Sequence, residues 1–159
     1  MKQEKLNAYS ARITQANKSQ LVVITYEIIL DSLLFAREDW EIKDWLSFEK
    51  DVKRVQKLIN ELMGALNFQV QISLELMALY QFCGKCIVKA MCHKSCEEFS
   101  AIESVINRLK EAFVQVAKED NSEPVMKNTQ TIYAGLTYGK YSLNEVCVNV
   151  NEANRGFRA

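Results

Sequence analysis

Between Asn17 and Trp40 the chain reads NKSQLVVITYEIILDSLLFAREDW, which is more apolar than a helix with one buried face requires. Advancing 100° per residue, the apolar side chains separate into two groups. Val22, Val23, Tyr26, Ile29, Leu30, Leu33, Leu34 and Trp40 form one broad face. Leu21, Ile24, Ile28 and Phe35 form a second, narrower stripe, bounded by Glu27, Asp31 and Glu38 on one side and by Thr25, Ser32 and Asp39 on the other. The broad face is expected in the core. The stripe must meet another part of the chain or a partner, so its residues should be less buried by the four-helix core than Val22, Tyr26, Ile29 and Leu33.

Asn17 and Gln20 form an Asn-x-x-Gln capping box at the start of this segment. Three further helical periods follow. Residues 47–66 place Val52, Val55, Ile59, Leu62, Met63 and Leu66 on one face, with Lys50, Lys53, Arg54, Lys57 and Glu61 opposite. Residues 70–91 carry a broad apolar face of Ile72, Leu76, Leu79, Phe82 and Ile87, and beside it a weaker patch of Leu74, Met77 and Val88 around Gly84. Residues 95–118 show a single face of Phe99, Ile102, Val105, Ile106, Leu109, Ala112, Phe113 and Val116. Helices of this length joined by short links favour antiparallel neighbours. The expected fold is all-α, an antiparallel up-down four-helix bundle with a short N-terminal segment and a C-terminal extension. Pro124, the only proline, stops the periodic region. Residues 1–124 are therefore the bundle domain and 125–159 the extension, in which Ser142 to Val150 reads equally as a capped helix or an alternating strand.

A chain of 159 residues can bury roughly 70% of its unfolded surface and fold as one domain. Its net charge is zero with both signs interspersed, so no field gathers phosphates, and nucleic acid is an unfavourable partner. The N-terminus has no apolar leader, and Tyr26, Glu27 and Asp31 break the most apolar run, so a cytosolic chain with no membrane insertion is expected.

Cys83, Cys86, Cys92, His93 and Cys96 resemble a zinc ligand set in composition, but Cys83 and Cys86 fall on the broad apolar face, where thiols pack as small hydrophobes. An odd cysteine count, with Cys147 remote, does not suit a disulfide framework. His93, the single histidine, reads as a loop residue, and Glu97 and Glu98 suit a helix start. Neither a GxxxxGKS loop nor inward Glu-x-x-His pairs occur. The expectation is no enzyme, no metal and no cofactor.

Residues 13–21, ITQANKSQL, followed by Ile24-Thr25-Tyr26, resemble the start of the flagellin export chaperones called FliS, whose pattern there is a Thr-Ala-Ser-Pro-x-Glu-Leu run leading into Leu-Tyr. Ile59-Asn60-Glu61-Leu62-Met63-Gly64-Ala65-Leu66-Asn67 is similar to the end of their second helix, and Leu76-x-x-Leu79-Tyr80 to their third. The resemblance covers roughly residues 9–118. Asn17-Lys18 stands where the family has Ser-Pro, Gln15 replaces its Thr and Gln20 its Glu. The resemblance implies a cytosolic helical bundle that binds the disordered C-terminal segment of flagellin, masks it from polymerisation and presents it to the flagellar export gate.

On that reading Leu21, Ile24, Ile28 and Phe35, with Leu74, Met77, Gly84 and Val88, are the expected partner-binding residues. An open apolar groove is an aggregation hazard, so one chain end should cover it. The candidates are Leu6, Tyr9 and Ile13 at the N-terminus, or Ile132, Leu136, Tyr138, Tyr141 and Phe157 in the tail. The alternatives are a homodimer or scaffold that uses the same stripe on itself, and a diverged paralogue with cargo other than flagellin.

Overall fold

A computed structural model describes residues 3–126. The reading of Ser142 to Val150, the apolar tail residues from Ile132 to Phe157, and Cys147 lie outside the described residues.

Five helices follow one another: α1 (Gln3–Gln15), α2 (Lys18–Glu41), α3 (Trp45–Gly64), α4 (Ile72–His93) and α5 (Phe99–Glu119). No strand occurs among the described residues. The N-terminal segment is thus a helix of 13 residues rather than a short lead-in. Its sequence supports this, with Leu6, Tyr9 and Ile13 at helical spacing, Glu4 in the first turn and Arg12 in the last, where each charge suits the helix dipole.

The capping box separates α1 from α2. Asn17 has an extended backbone, the Gln20 amide donates to its Oδ1 at 2.9 Å, and the Asn17 amide donates to Gln20 Oε1 at 3.1 Å. At the far end, Lys43 turns left-handed (φ 61°) and Asp44 caps α3 by accepting from the Ser47 amide at 3.2 Å. A second left-handed residue, Lys94 (φ 48°), ends α4. The indole Nε1 of Trp40 donates to the Lys94 carbonyl at 2.7 Å and ties the two turns together.

α2 packs against α3 and α5, α4 packs against α3 and α5, and α1 lies on α2. The enclosed core holds Tyr26, Ile29, Leu33 and Ala36 of α2, Phe48, Val52, Val55, Ile59 and Leu62 of α3, Leu76, Tyr80, Cys83, Cys86, Ile87 and Ala90 of α4, and Phe99, Ile102 and Ile106 of α5. Phe48 stacks on Phe99 with ring centres 6.3 Å apart, and Phe113 meets Tyr26 edge-on at 5.6 Å. Within this apolar volume the hydroxyls of Tyr26 and Tyr80 pair at 2.5 Å, because a buried hydroxyl without a partner would cost free energy. Burial, then this hydrogen bond, raises the Tyr26 pKa far above its ordinary value.

Several side chains depart from the periodic reading. On α2, Leu34 and Trp40 are exposed rather than core, whereas Ser32, assigned to the polar boundary, is fully buried with its Oγ unpaired. On α4, Ile72, Leu79 and Phe82 are exposed. Their neighbours at helical spacing, Leu76, Cys83 and Ile87, occupy the core instead. On α5, Ala112 and Val116 are exposed. The physical reason is common to all: a helix in contact with two neighbours buries an arc, and residues at the arc's edges emerge. α2 is also continuous over 24 residues and, by length and composition, apolar enough to cross a membrane, contrary to the expectation that Tyr26, Glu27 and Asp31 break it. Here Val23, Ile24, Tyr26, Ile29, Leu33 and Ala36 of this helix are buried inside the protein.

Removing one hydroxyl of the tyrosine pair leaves the other buried and unsatisfied, so Tyr26→Phe or Tyr80→Phe alone should each cost about 1–3 kcal/mol. The double variant should cost clearly less than the sum of the two. Urea denaturation of the three variants measures this, and strict additivity would refute the pairing.

Candidate partner-binding surfaces

α1 folds back along α2 and meets the acidic boundary of the second stripe and its Phe35. Two carboxylates at one-turn spacing, Glu27 and Asp31, receive three side chains from α1. Lys5 Nζ reaches Asp31 Oδ2 at 2.9 Å, the Tyr9 hydroxyl donates to the same oxygen at 2.9 Å, and Arg12 Nη1 meets Glu27 Oε2 at 2.5 Å. Lys5 also lies 5.0 Å from the centre of the Phe35 ring. The spacing of Lys5, Tyr9 and Arg12 is i, i+4, i+7, one face of a helix. Burial and the Asp31 bond together push the Tyr9 phenol upward, so it stays protonated and donating.

The corner between α1 and α2 is clasped by the segment after α5. Asn17 Nδ2 donates to the Asp120 carbonyl at 2.9 Å, Ser19 Oγ donates to Asp120 Oδ2 at 2.5 Å, and the Val125 amide donates to the Ala16 carbonyl at 3.1 Å. Beside this clasp is a cleft of about 590 Å³, lined by Arg12, Gln20, Val23 and Ile24 with Val114 and Ala117 of α5. Ile24 is 4% exposed, more buried overall than the half-buried Val22, yet it lies outside the core cluster that Val22 packs against, as do Leu21, Ile28 and Phe35. It is buried at the corner, outside the central core, which is why the periodicity of α2 alone does not anticipate it. Leu21, Ile28 and Phe35 are half-buried.

The second surface runs along the outer shoulder of α4. Leu74, Met77, Gly84 and Val88 follow at spacings of three, seven and four residues, which keeps them on one side of the helix. Leu74 is 64% exposed and Val88 45% exposed. Gly84 and Val88 line a groove of about 570 Å³ against Gln56, Asn60 and Met63 of α3, whose other lining residues are Gln81, Lys85 and Lys89. Leu74 and Met77 continue the same shoulder towards the start of α4. The opposite shoulder, with Leu79 37% and Phe82 45% exposed, is a third apolar strip that the sequence reading assigned to the core. Their exposure depends on how closely α5 approaches α4, which no local pattern encodes.

Cys83 and Cys86 are buried among core side chains, and burial pushes the Cys83 thiol up to about 11, away from the thiolate a nucleophile or metal ligand needs. Among the described residues no three His, Cys, Asp or Glu side chains converge as a metal site would require. Asp51 is buried in α3, ion-paired with Arg54 on the same helix.

The contacts of α1 with α2 are partly exposed ion pairs, each contributing about 0–1 kcal/mol. Amides of residues 4–15 should therefore exchange much faster than those of α3, and faster still in Asp31→Asn, while the melting temperature moves little. Hydrogen exchange followed by mass spectrometry reads both, and equal protection of α1 and α3 would contradict the marginal docking.

Asp120 gives a pH signature at the clasp. Hydrogen bonds from Ser122 and then Ser19 lower its pKa to about 2 from an ordinary 3.8. A lowered folded-state pKa stabilises above the unfolded value and loses that stabilisation as pH falls through the folded one. The advantage of the wild-type chain over Asp120→Asn in melting temperature should thus be complete above about pH 4 and vanish towards about pH 2. A constant difference across that window would exclude the clasp's carboxylate.

Comparison with curated proteins returns no match. The family model described as "Flagellar protein FliS" matches residues 1–120, which span all five helices and both surfaces. That match covers most of the chain, and on it the chain belongs to the FliS family of flagellar chaperones, which is not an enzyme family.

Proposed function

We propose that the chain is a cytosolic flagellar export chaperone that binds the disordered C-terminal segment of flagellin in apolar grooves. Binding prevents premature polymerisation and presents the cargo to the flagellar export gate. In this reading α2 to α5 form an up-down antiparallel four-helix bundle within a domain of residues 1–124, and residues 125–159 are an extension. The closed cycle of helix contacts supports the bundle, since each of the four packs on two others.

The observation that carries the reading is the unequal treatment of the two expected surfaces. Beside the α2 stripe a helix of the same chain is held through contacts of low individual strength, and on the α4 shoulder Leu74 and Val88 are exposed among the described residues. A segment that folds on binding lays amphipathic helices into preformed apolar grooves. α1 then acts as an intramolecular competitor at an effective concentration of about millimolar for a short tether. Leu21, Ile28 and Phe35 are the stripe residues that cargo would reach once α1 departs. Ile24 belongs to the corner and would be reached only if the cleft itself opens.

The test is the dissociation constant of a labelled flagellin C-terminal peptide. For Leu74→Glu, an exposed site where stability should change by less than about 0.5 kcal/mol, binding should weaken about tenfold. For a chain beginning at Thr14, which lacks α1, binding should tighten. Equal constants for the intact and shortened chains would remove α1 as competitor, and weaker binding by the shortened chain would make α1 part of the cargo site. Failure of the wild-type chain to bind, together with a dimer in light scattering that Leu74→Glu dissociates, would favour homodimerisation through α4.

A further inference from the structure

Gly84 lies in the interior of α4, and the fold does not use its missing side chain. A glycine there lowers helix stability relative to alanine. A Cβ on Gly84 would meet nothing within 4 Å, so neither a neighbouring side chain nor a close helix crossing inside the protein requires glycine. Its backbone is ordinary helix. What the absent side chain does is deepen the α3–α4 groove from outside.

The rest of that groove has a definite chemistry. Met63 and Val88 supply apolar surface beside Gly84, and Gln56, Asn60 and Gln81 supply amides. The charged residues lining it are Lys85 and Lys89, with no carboxylate among the lining side chains. Lys89 reaches Glu98 only at 3.5 Å, and Lys85 has no ion-pair partner among the described residues.

We propose that the α3–α4 groove seats an amphipathic helix of the cargo that packs close over Gly84 and turns a carboxylate-bearing flank towards Lys85 and Lys89. The inference rests on the chaperone reading above and adds the chemistry of the bound segment. Ordinary helix pairs stand 8–10 Å apart because side chains separate them, and a glycine on one partner lets the other approach further. Close approach over Gly84 increases van der Waals contact along the shoulder formed by Leu74, Met77 and Val88. The lysines on one rim then fix the orientation of the incoming helix, because a cationic flank would be repelled and an acidic one attracted.

Binding is measured by fluorescence anisotropy on the full chain with three probes. One is the flagellin C-terminal peptide, and the others are two designed amphipathic helices with the same leucine–alanine face, one flanked by glutamates and one by lysines. The glutamate-flanked helix should bind the wild-type chain about tenfold tighter than its lysine-flanked counterpart, and Lys85→Glu should erase that preference. Gly84→Leu should weaken the glutamate-flanked helix and the flagellin peptide at least about tenfold. Gly84→Ala should raise the melting temperature by about 2–4 °C and yet weaken both ligands, an opposition of signs that a purely structural glycine would not give. Equal binding of the two designed helices, or a glutamate-flanked helix indifferent to Gly84→Leu, would overturn the proposal. A flagellin peptide that binds normally to Gly84→Leu would overturn the groove as its seat. A flagellin peptide that fails on the wild-type chain, while the glutamate-flanked helix binds in a Gly84-dependent way, would reject flagellin as cargo and support the groove chemistry.

Discussion

The hydroxyl pair of Tyr26 and Tyr80 is the constraint on which the remaining geometry depends. Two phenols cannot both lose water in an apolar core unless each finds a partner, and among the helices these two find each other across the interior. Pairing fixes the axial register of α4 relative to α2, and side-chain direction along a helix then follows. With Tyr80 inward, Leu76, Cys83 and Ile87 also point inward, and Gly84 and Val88 are carried to the α3 side. With Tyr26 inward, Glu27 and Asp31 are carried to the outer side of α2, where α1 meets them. The positions of both surfaces thus agree with the helix rotation that buries this polar contact together with the apolar core around it.

α2 shows how a helix can be more apolar than its core contact requires. Tyr26, Ile29, Leu33 and Ala36 are fully enclosed, and the remaining apolar residues are divided between the corner cleft and the shelter of α1. The difference in binding strength between these environments is large. Burying a Leu or Ile side chain contributes about 1.5–3 kcal/mol, whereas an exposed ion pair such as Lys5 with Asp31 contributes about 0–1 kcal/mol. Lys5, Tyr9 and Arg12 therefore align α1 without committing it, and the clasp from Asn17 and Ser19 to Asp120 keeps the α1–α2 corner in place.

What the sequence made legible was mostly local. The Asn17–Gln20 capping box, the four long helices to within a few residues and the inward faces of α3 and α5 follow from cap chemistry and period, which act over one or two turns. The helix of residues 3–15 escaped because its few apolar residues give weak periodicity, although Lys5, Tyr9 and Arg12 opposite Glu27 and Asp31 were a readable charge match. Leu79 and Phe82 were misplaced because exposure at an arc's edge is set by how closely the neighbouring helix approaches. Ile24 stays out of the core cluster as expected, but its near-complete burial was not legible, since a corner that includes residues about a hundred positions away lies beside it. For the expected site, Gly84 and Val88 line one groove, Leu74 and Met77 share their shoulder, and the α2 residues stand under or beside α1.

Charge separates the roles of the two surfaces. α1 presents Lys5 and Arg12, which suit the Glu27 and Asp31 side of α2 and would be repelled by the Lys85 and Lys89 rim of the α3–α4 groove. Seating α1 on the acidic side of α2 therefore does not by itself close the α4 groove. On the reading proposed above, a cargo segment held first at the α4 groove would meet the α2 stripe as a tethered ligand, at an effective concentration comparable to that of α1 itself. Displacing α1 then requires better apolar contact on Leu21, Ile28 and Phe35 and no large excess of free cargo. A short or purely basic peptide, unable to engage α4, would have to compete with α1 from solution, and so the order of engagement discriminates in favour of a long segment with an acidic and an apolar portion.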